Sequence, residues 1–345
     1  MVTLKINNTE VSVPGGTTIL EAAKSAGIDI PTLCFHERMN PIGSCRMCVV
    51  DIEGVSQPMA ACTTPVSEGI SVTTESERLY RIRQDSLKLL LVNHPLDCPI
   101  CDKAGECVLQ DLVYEYGIDT VEYQAPQQDR TSFYPTSLIR HWPERCILCL
   151  RCVTACREIK GLGAIDVQGE GYNAQIVPAD MEKCESCGEC LKVCPTGALT
   201  ENLSRYKTRP WLAKRVMTTC TYCGCGCQLE LNVMNDRVVG VTTKEDCGVN
   251  RGSLCVKGRF GYEFINSKER LTKPLIKKNG RLREAGWDEA LGLVAETFSK
   301  IKKEHGPDAI GGLSSARCTN EENYLFQKFM RAVIGTNNVD HCARL

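Results

Sequence analysis

Apolar and polar residues alternate over residues 1–13, at Val2, Leu4 and Ile6 and again at Val11 and Val13. This predicts two strands joined at an Asn7-Asn8-Thr9 turn. Thr18 and Glu21 have the spacing of a capping box, so a short helix is expected from Ile19 to Ser25, stopped by Gly27. Residues 76–93 place Leu79, Ile82, Leu87, Leu90 and Leu91 at roughly helical spacing and predict a second helix. From Trp287 the pattern becomes α/β. Asp288 is expected to cap a helix reaching about Lys303, ended by Gly306-Pro307, and Ala309 to Ser314 has the character of a short buried strand. Thr319 and Glu322 form another capping box, opening an amphipathic helix with Tyr324, Phe326, Phe329, Met330 and Val333 that runs to Gly335. A parallel sheet needs several strands with both faces covered. One strand and two helices are only the opening of such a domain.

Composition shifts attention to the cysteines. The chain has 345 residues and 23 cysteines, with 41 Lys plus Arg against 42 Asp plus Glu, a net charge of −1. That balance excludes the basic excess of a nucleic-acid binder. A hydrophobic content of 43% excludes general disorder. The longest apolar run, near Leu89 to Val92, is far below the roughly 18 residues of a membrane span. The N-terminus carries no export signal, so a cytoplasmic location is expected. That compartment keeps thiols reduced, which points the cysteines to metal ligation rather than disulfides. Twenty-one of them lie in residues 1–255, in units too small to bury a sufficient core alone.

Cys34, Cys45, Cys48 and Cys62 are spaced C-x10-C-x2-C-x13-C after the hairpin and helix, which suits a [2Fe–2S] cluster, with Gly43 allowing close backbone approach to the sulfides. A structural zinc site is the alternative for four thiolates. The next motif, His94, Cys98, Cys101 and Cys107, offers only three thiolates. A neutral imidazole can take the fourth position of a [4Fe–4S] cluster. Two copies of C-x2-C-x2-C-x3-C follow: Cys146, Cys149, Cys152, Cys156, then Cys184, Cys187, Cys190, Cys194 and Pro195. In this two-cluster ferredoxin signature each fourth cysteine serves the other cluster, giving Cys146, Cys149, Cys152 with Cys194, and Cys184, Cys187, Cys190 with Cys156. A fifth set is Cys220, Cys223, Cys227 and Cys255. Counting alone leaves Cys225 open in place of Cys227, and Cys247 in place of Cys255.

The first two motifs resemble those of the large hydrophilic subunit of complex I and of [FeFe] hydrogenases. The Cys220 set, followed by Cys255-Val-Lys-Gly258, resembles the N-terminal [4Fe–4S] domain of molybdopterin oxidoreductases, formate dehydrogenases above all. This resemblance selects Cys227 and Cys255 as ligands. It implies that Lys257 lies between cluster and pterin and relays electrons, and it leaves Arg317 as a candidate partner for a pterin phosphate. The expected fold class is an α+β multidomain iron–sulfur protein. It comprises a plant-type ferredoxin (β-grasp) domain over 1–78, a histidine-ligated [4Fe–4S] domain over 79–135, a two-[4Fe–4S] ferredoxin domain over 136–208, the molybdopterin-oxidoreductase [4Fe–4S] domain over 214–270, and an incomplete molybdopterin-binding α/β domain over 271–345.

Arg317 to Tyr324 and Ile334 to Leu345 also look like formate dehydrogenase. In that family the following residue is a selenocysteine or cysteine that ligates the metal, so the chain is expected to continue past Leu345. The resemblance implies one [2Fe–2S] and four [4Fe–4S] clusters. It further implies a molybdenum or tungsten centre held by two molybdopterin guanine dinucleotides, where formate and CO2 interconvert. Electrons would pass singly through Lys257 to the Cys220 cluster, then the ferredoxin pair, and outward through the His94 and [2Fe–2S] clusters. No Rossmann fingerprint or P-loop is present, so NAD, flavin, ferredoxin-type or hydrogenase chemistry is expected on partner subunits. An [FeFe] hydrogenase, a complex I large subunit without chemistry of its own, and a stand-alone electron-transfer adaptor are the other readings.

Overall fold

One face of the opening hairpin is buried, which is why its apolar residues alternate. In the computed structural model, which describes residues 1–126, 130–133 and 136–342, β1 (Val2–Ile6) and β2 (Thr9–Val13) pair antiparallel. Asn7 and Asn8 both take positive φ, 48° and 68°, as a two-residue turn matched to strand twist requires. In α1 (Ile19–Ser25) the expected capping box is present: the Thr18 hydroxyl accepts from the Glu21 N–H, and the Glu21 carboxylate accepts from the Thr18 N–H at 2.9 Å. β3 (Val49–Ile52), β4 (Met59–Ala60) and β5 (Ser71–Thr73) complete a sheet of order β2-β1-β5-β3-β4, with β1 and β5 parallel. Ile19, Leu20, Ala22 and Ala23 of α1 pack on Leu4, Ile6, Val50 and Val72, and Cys48 and Cys62 belong to the same buried cluster.

Helix α2 (Glu77–Leu91) starts at Ser76, whose hydroxyl accepts from the Leu79 N–H at 3.1 Å. It buries Leu79, Leu87 and Leu91, and also Arg83, whose guanidinium donates to the carbonyls of Val49 and Thr74 at 2.8 Å each. With α3 (Val108–Glu115) it encloses a second apolar cluster containing Leu33, Met47, Leu109 and Ile147, in which Cys34, Cys45, Cys107 and Cys149 are embedded.

The tandem cysteine repeat is also a repeat of backbone shape. A single 3-10 turn, Pro143–Arg145 or Met181–Lys183, precedes the first cysteine of each copy. Leu148 and Leu150 take positive φ in the first copy, Ser186 and Gly188 in the second. A short helix follows each time, α4 (Arg151–Thr154) and, after the ribbon β7 (Ile165–Gln168) and β8 (Gln175–Pro178), α5 (Glu189–Val193). β6 (Ile139–His141) pairs antiparallel with β9 (Leu199–Glu201), closing the two ends of the repeat together.

The chain divides into two compact units, Met1–Ala213 and Lys214–Leu345. The second opens with an antiparallel sheet of β10 (Lys214–Thr219), β11 (Gln228–Met234) and β12 (Arg237–Thr242), then α6 (Val256–Phe260) and the hairpin β13 (Leu275–Lys278) and β14 (Arg281–Glu284). α7 (Trp287–His305) corrects the expectation for Asp288. The helix starts after Gly286, and Asp288 lies in its first turn, where its charge faces the helix N-terminus rather than capping it. β15 (Gly312–Ser315) is not the buried strand expected, because among the described residues only β16 (Val339–Cys342) pairs with it, and Leu313 is 83% exposed. α8 (Asn320–Phe329) has the Thr319 capping box and passes into a wider turn over Met330–Ile334, stopped by Gly335 at φ 91°. Among the described residues no helix is long and apolar enough to cross a membrane.

Replacing Thr18 by Ala is expected to lower stability by about 1 kcal/mol, since the Glu21 N–H in the first turn of α1 loses its side-chain acceptor. A shifted urea midpoint with unchanged slope is the measurement.

Candidate iron–sulfur centres

Cys34, Cys45, Cys48 and Cys62 are all buried, and their sulfurs stand in two hydrogen-bonded pairs. The bond with Cys45 lowers the Cys34 thiol to about 5, and that with Cys62 lowers Cys48 to about 7. Cys45 and Cys62 are pushed up by the same bonds and by burial. Four sulfurs at this range suit two irons that share them. Gly43 takes φ 69°, and a Cβ there would stand 3.1 Å from the Thr63 methyl, so the glycine relieves Thr63, the neighbour of Cys62, rather than serving only the sulfides.

His94 is half-buried, and its buried Nδ1 has no hydrogen-bond partner. Burial pulls the imidazole pKa down, with Asp97 opposing, so the ring is held neutral and able to offer a lone pair to a metal. Burial pushes the Cys101 thiol up and Cys107 to about 11; Cys98 is half-buried. The loop that carries them is tied to the stretch after Cys194. The Val108 N–H donates to the Pro195 carbonyl at 3.1 Å, and the Arg209 guanidinium donates to the Cys101 carbonyl at 2.5 Å. A Cβ on Gly197 would collide with the Cys101 sulfur, so the chain needs glycine where backbone meets that ligand.

In the ferredoxin repeat, Cys146, Cys149, Cys152 and Cys194 line one small pocket together with His141. Three come from the first copy and one from the second, the crossed arrangement expected from spacing. Cys190 correspondingly has Cys187, Cys184 and Cys156 as its charged neighbours. Burial raises Cys146 to about 11 and raises Cys149, Cys152 and Cys190 further. Backbone N–H groups already point at two sulfurs, Leu148 at Cys146 (3.5 Å) and Ala164 at Cys156 (3.2 Å), as donors that stabilise reduced clusters do. Sequence reasoning missed His141, which is 4% exposed and held near 4 by burial and by Arg130. It also missed Thr196, whose hydroxyl donates to the Arg145 carbonyl at 2.9 Å. Neither lies in a cysteine motif, so nothing in the spacing marks them.

In the second unit, the buried Cys220 is pushed up by burial and by the charges of Cys255, Cys223 and Cys225. Burial and Cys225 raise Cys227 to about 12. The Cys227 and Cys225 sulfurs are 3.5 Å apart, so both of the candidates that cysteine counting left open reach this site. Cys247 is engaged elsewhere, its thiol donating to Gln228 Oε1 at 2.8 Å. Lys257 is exposed on α6, and the Cβ position of the adjoining Gly258 is 3.7 Å from the Cys220 sulfur. Gly224 in the cysteine loop donates to the Ala316 carbonyl at 3.4 Å, which sets that loop beside the exposed Arg317. Ala343, Arg344 and Leu345 lie outside the described residues.

Among the described residues no three of the His, Cys, Asp or Glu side chains converge on a single metal ion. Ligands to separate irons of a cluster stand further apart than ligands that share one ion. A neutral imidazole with a buried orphan nitrogen, a pocket lined by four thiols, and a glycine forced by a cysteine sulfur all fit iron–sulfur clusters.

Known families match the chain in succession: a 2Fe-2S iron-sulfur cluster binding domain over 1–77, the NADH-ubiquinone oxidoreductase-G iron-sulfur binding region over 83–122, and the NADH-quinone oxidoreductase subunit 3 ferredoxin-like domain over 136–200. The molybdopterin oxidoreductase Fe4S4 domain follows over 213–267 and molybdopterin oxidoreductase over 270–345. These matches show iron–sulfur ferredoxin-like domains followed by a molybdopterin oxidoreductase domain. It is 47% identical over its whole length to the NADPH-Fe(3+) oxidoreductase subunit alpha of Geobacter sulfurreducens and 40% identical to an NADH-quinone oxidoreductase subunit of Rhizobium meliloti. It spans 40% of the length of each of these relatives. Among solved structures, a chain from the crystal structure of an NAD+-reducing [NiFe]-hydrogenase in the H2-reduced state matches with a TM-score of 0.55 and 32% identity, covering 60% of this chain and 90% of that one.

Replacing Gly197 by Ala is expected to displace Cys101 and lower iron content by roughly a fifth, the share of one four-iron cluster, with the other cluster signals kept. Iron analysis together with low-temperature EPR reads both.

Proposed function

We propose that this oxidoreductase is the electron-transfer and N-terminal catalytic part of a formate dehydrogenase that interconverts formate with CO2, a proton and two electrons. The observation that carries this reading is the contact between the Cys220 loop and Ala316, which brings a cluster site to the carboxyl end of the parallel pair β15 and β16, where ligands of α/β sheets bind. Arg317 begins there the segment that resembles formate dehydrogenases. A Staphylococcus aureus relative, 35% identical over 96% of this chain, bears formate dehydrogenase as its provisional name. A molybdenum or tungsten bis-pterin centre supplies the two-electron chemistry when bound. This chain's share is to hold a pterin phosphate at Arg317 and to carry electrons away past Lys257 to the cluster of Cys220, Cys223, Cys227 and Cys255.

The remaining ligands follow the same reading. Cys34, Cys45, Cys48 and Cys62 hold the [2Fe–2S] cluster of a plant-type ferredoxin domain. His94, Cys98, Cys101 and Cys107 hold a [4Fe–4S] cluster, and the two crossed cysteine sets of the repeat hold one each. Partner subunits in the cytoplasm, of flavin/NAD-binding, ferredoxin or hydrogenase type, take the electrons onward.

A second reading, an electron pathway fed by NADPH, is favoured by the 47% identity to the Geobacter protein. Anaerobic purification of the native assembly, with metal analysis and formate-driven viologen dye reduction, separates the two. Formate-dependent turnover is expected, falling about tenfold or more in kcat for Lys257→Met with molybdenum or tungsten content kept. A metal-loaded assembly that reduces dye with NADPH and not with formate overturns the reading.

A further inference from the structure

The His94 loop and the Cys146 loop are joined by a feature that belongs to neither cysteine motif. Arg145 stands directly before Cys146 and is 3% exposed, while Asp97 stands directly before Cys98 with 28% of its side chain exposed. Guanidinium and carboxylate meet as a fork: Nε donates to Oδ1 at 3.2 Å, and Nη2 donates to Oδ2. This is the strongest and most directional geometry available to such a pair.

Neighbours fix the guanidinium further. The Trp142 ring lies 4.5 Å from it. The Thr196 hydroxyl bonds the Arg145 carbonyl, tying the residue to the stretch that follows Cys194. The Arg145 Cδ lies 3.4 Å from the Cβ position of Gly197, the same position that the Cys101 sulfur crowds. A permanent positive charge is therefore lodged beside a ligand of the His94 site, in a setting where little water screens it.

We propose that Arg145, clamped by Asp97, is a positioning residue that raises the reduction potential of the cluster held by His94, Cys98, Cys101 and Cys107. Reduction adds an electron to an already anionic cluster, and a fixed cation nearby stabilises the reduced form more than the oxidised one. Arginine keeps its proton at any working pH, so the effect does not depend on titration. Asp97 opposes it in part but is more solvated.

The inference rests on the proposed assignment of a cluster to the His94 site and is independent of whether formate is the substrate. The test is an EPR-monitored redox titration of the full chain, with nitrogen hyperfine coupling used to identify the histidine-ligated cluster. Arg145→Met is expected to move that midpoint potential negative and Asp97→Asn to move it positive, while Arg145→Lys stays nearest the wild type. The double variant Asp97→Asn/Arg145→Met leaves no buried charge unpaired, so it is expected to keep wild-type iron content and still shift negative. Absence of nitrogen coupling in the wild type overturns the cluster assignment and the inference with it. Nitrogen coupling with a wild-type potential in the double variant, or single variants that shift in the same direction, overturns the inference alone.

Discussion

Ionising a thiol inside an apolar core is costly, and this chain places cysteine after cysteine in that position. Burial drives the thiols of Cys107, Cys146, Cys149, Cys152 and Cys190 up, so as free side chains they remain protonated, and only a bound cation makes the thiolates favourable. The dependence runs in both directions. Cys34, Cys45, Cys107 and Cys149 sit inside one apolar cluster with Leu33, Met47 and Ile147, so the groups that would hold metal are also part of what fills the core. Folding and cluster binding are in this sense one equilibrium, and local changes such as a Cβ at Gly197 act on both.

The ferredoxin repeat shows how local backbone geometry serves that constraint. Left-handed residues at matching places, Leu148 with Leu150 and Ser186 with Gly188, give the two cysteine loops the same backbone turns. The pairing of β6 with β9 draws the end of the second copy back to the start of the first. Cys194 thereby reaches the pocket of Cys146, and Cys156 reaches the neighbourhood of Cys190.

Much of this was legible in the residue order. Cysteine spacing, capping boxes at Thr18 and Thr319, and the hairpin asparagines are local signals, and the structure carries each of them. Leu313 was misjudged because burial depends on which strands flank a segment, and its own sequence does not contain that. Asp288 was misjudged because a cap is defined by backbone conformation one or two residues away. His141, Thr196 and the Asp97–Arg145 pair were invisible because each acts across tens of residues of chain, through contacts no short motif encodes. Cysteine counting does not separate Cys225 from Cys227, and neither does position in space, because the two sulfurs are neighbours; the resemblance alone selects Cys227.

We assign nineteen of the cysteines and His94 as cluster ligands rather than free thiols or zinc ligands. Iron, zinc and acid-labile sulfide analysis with Mössbauer spectroscopy on the anaerobically purified full chain tests it most directly. About eighteen iron atoms per chain are expected, divided as one [2Fe–2S] and four [4Fe–4S] clusters. Zinc in place of iron at any of the five sites, or spectra that resolve fewer than five clusters in fully loaded protein, would contradict it.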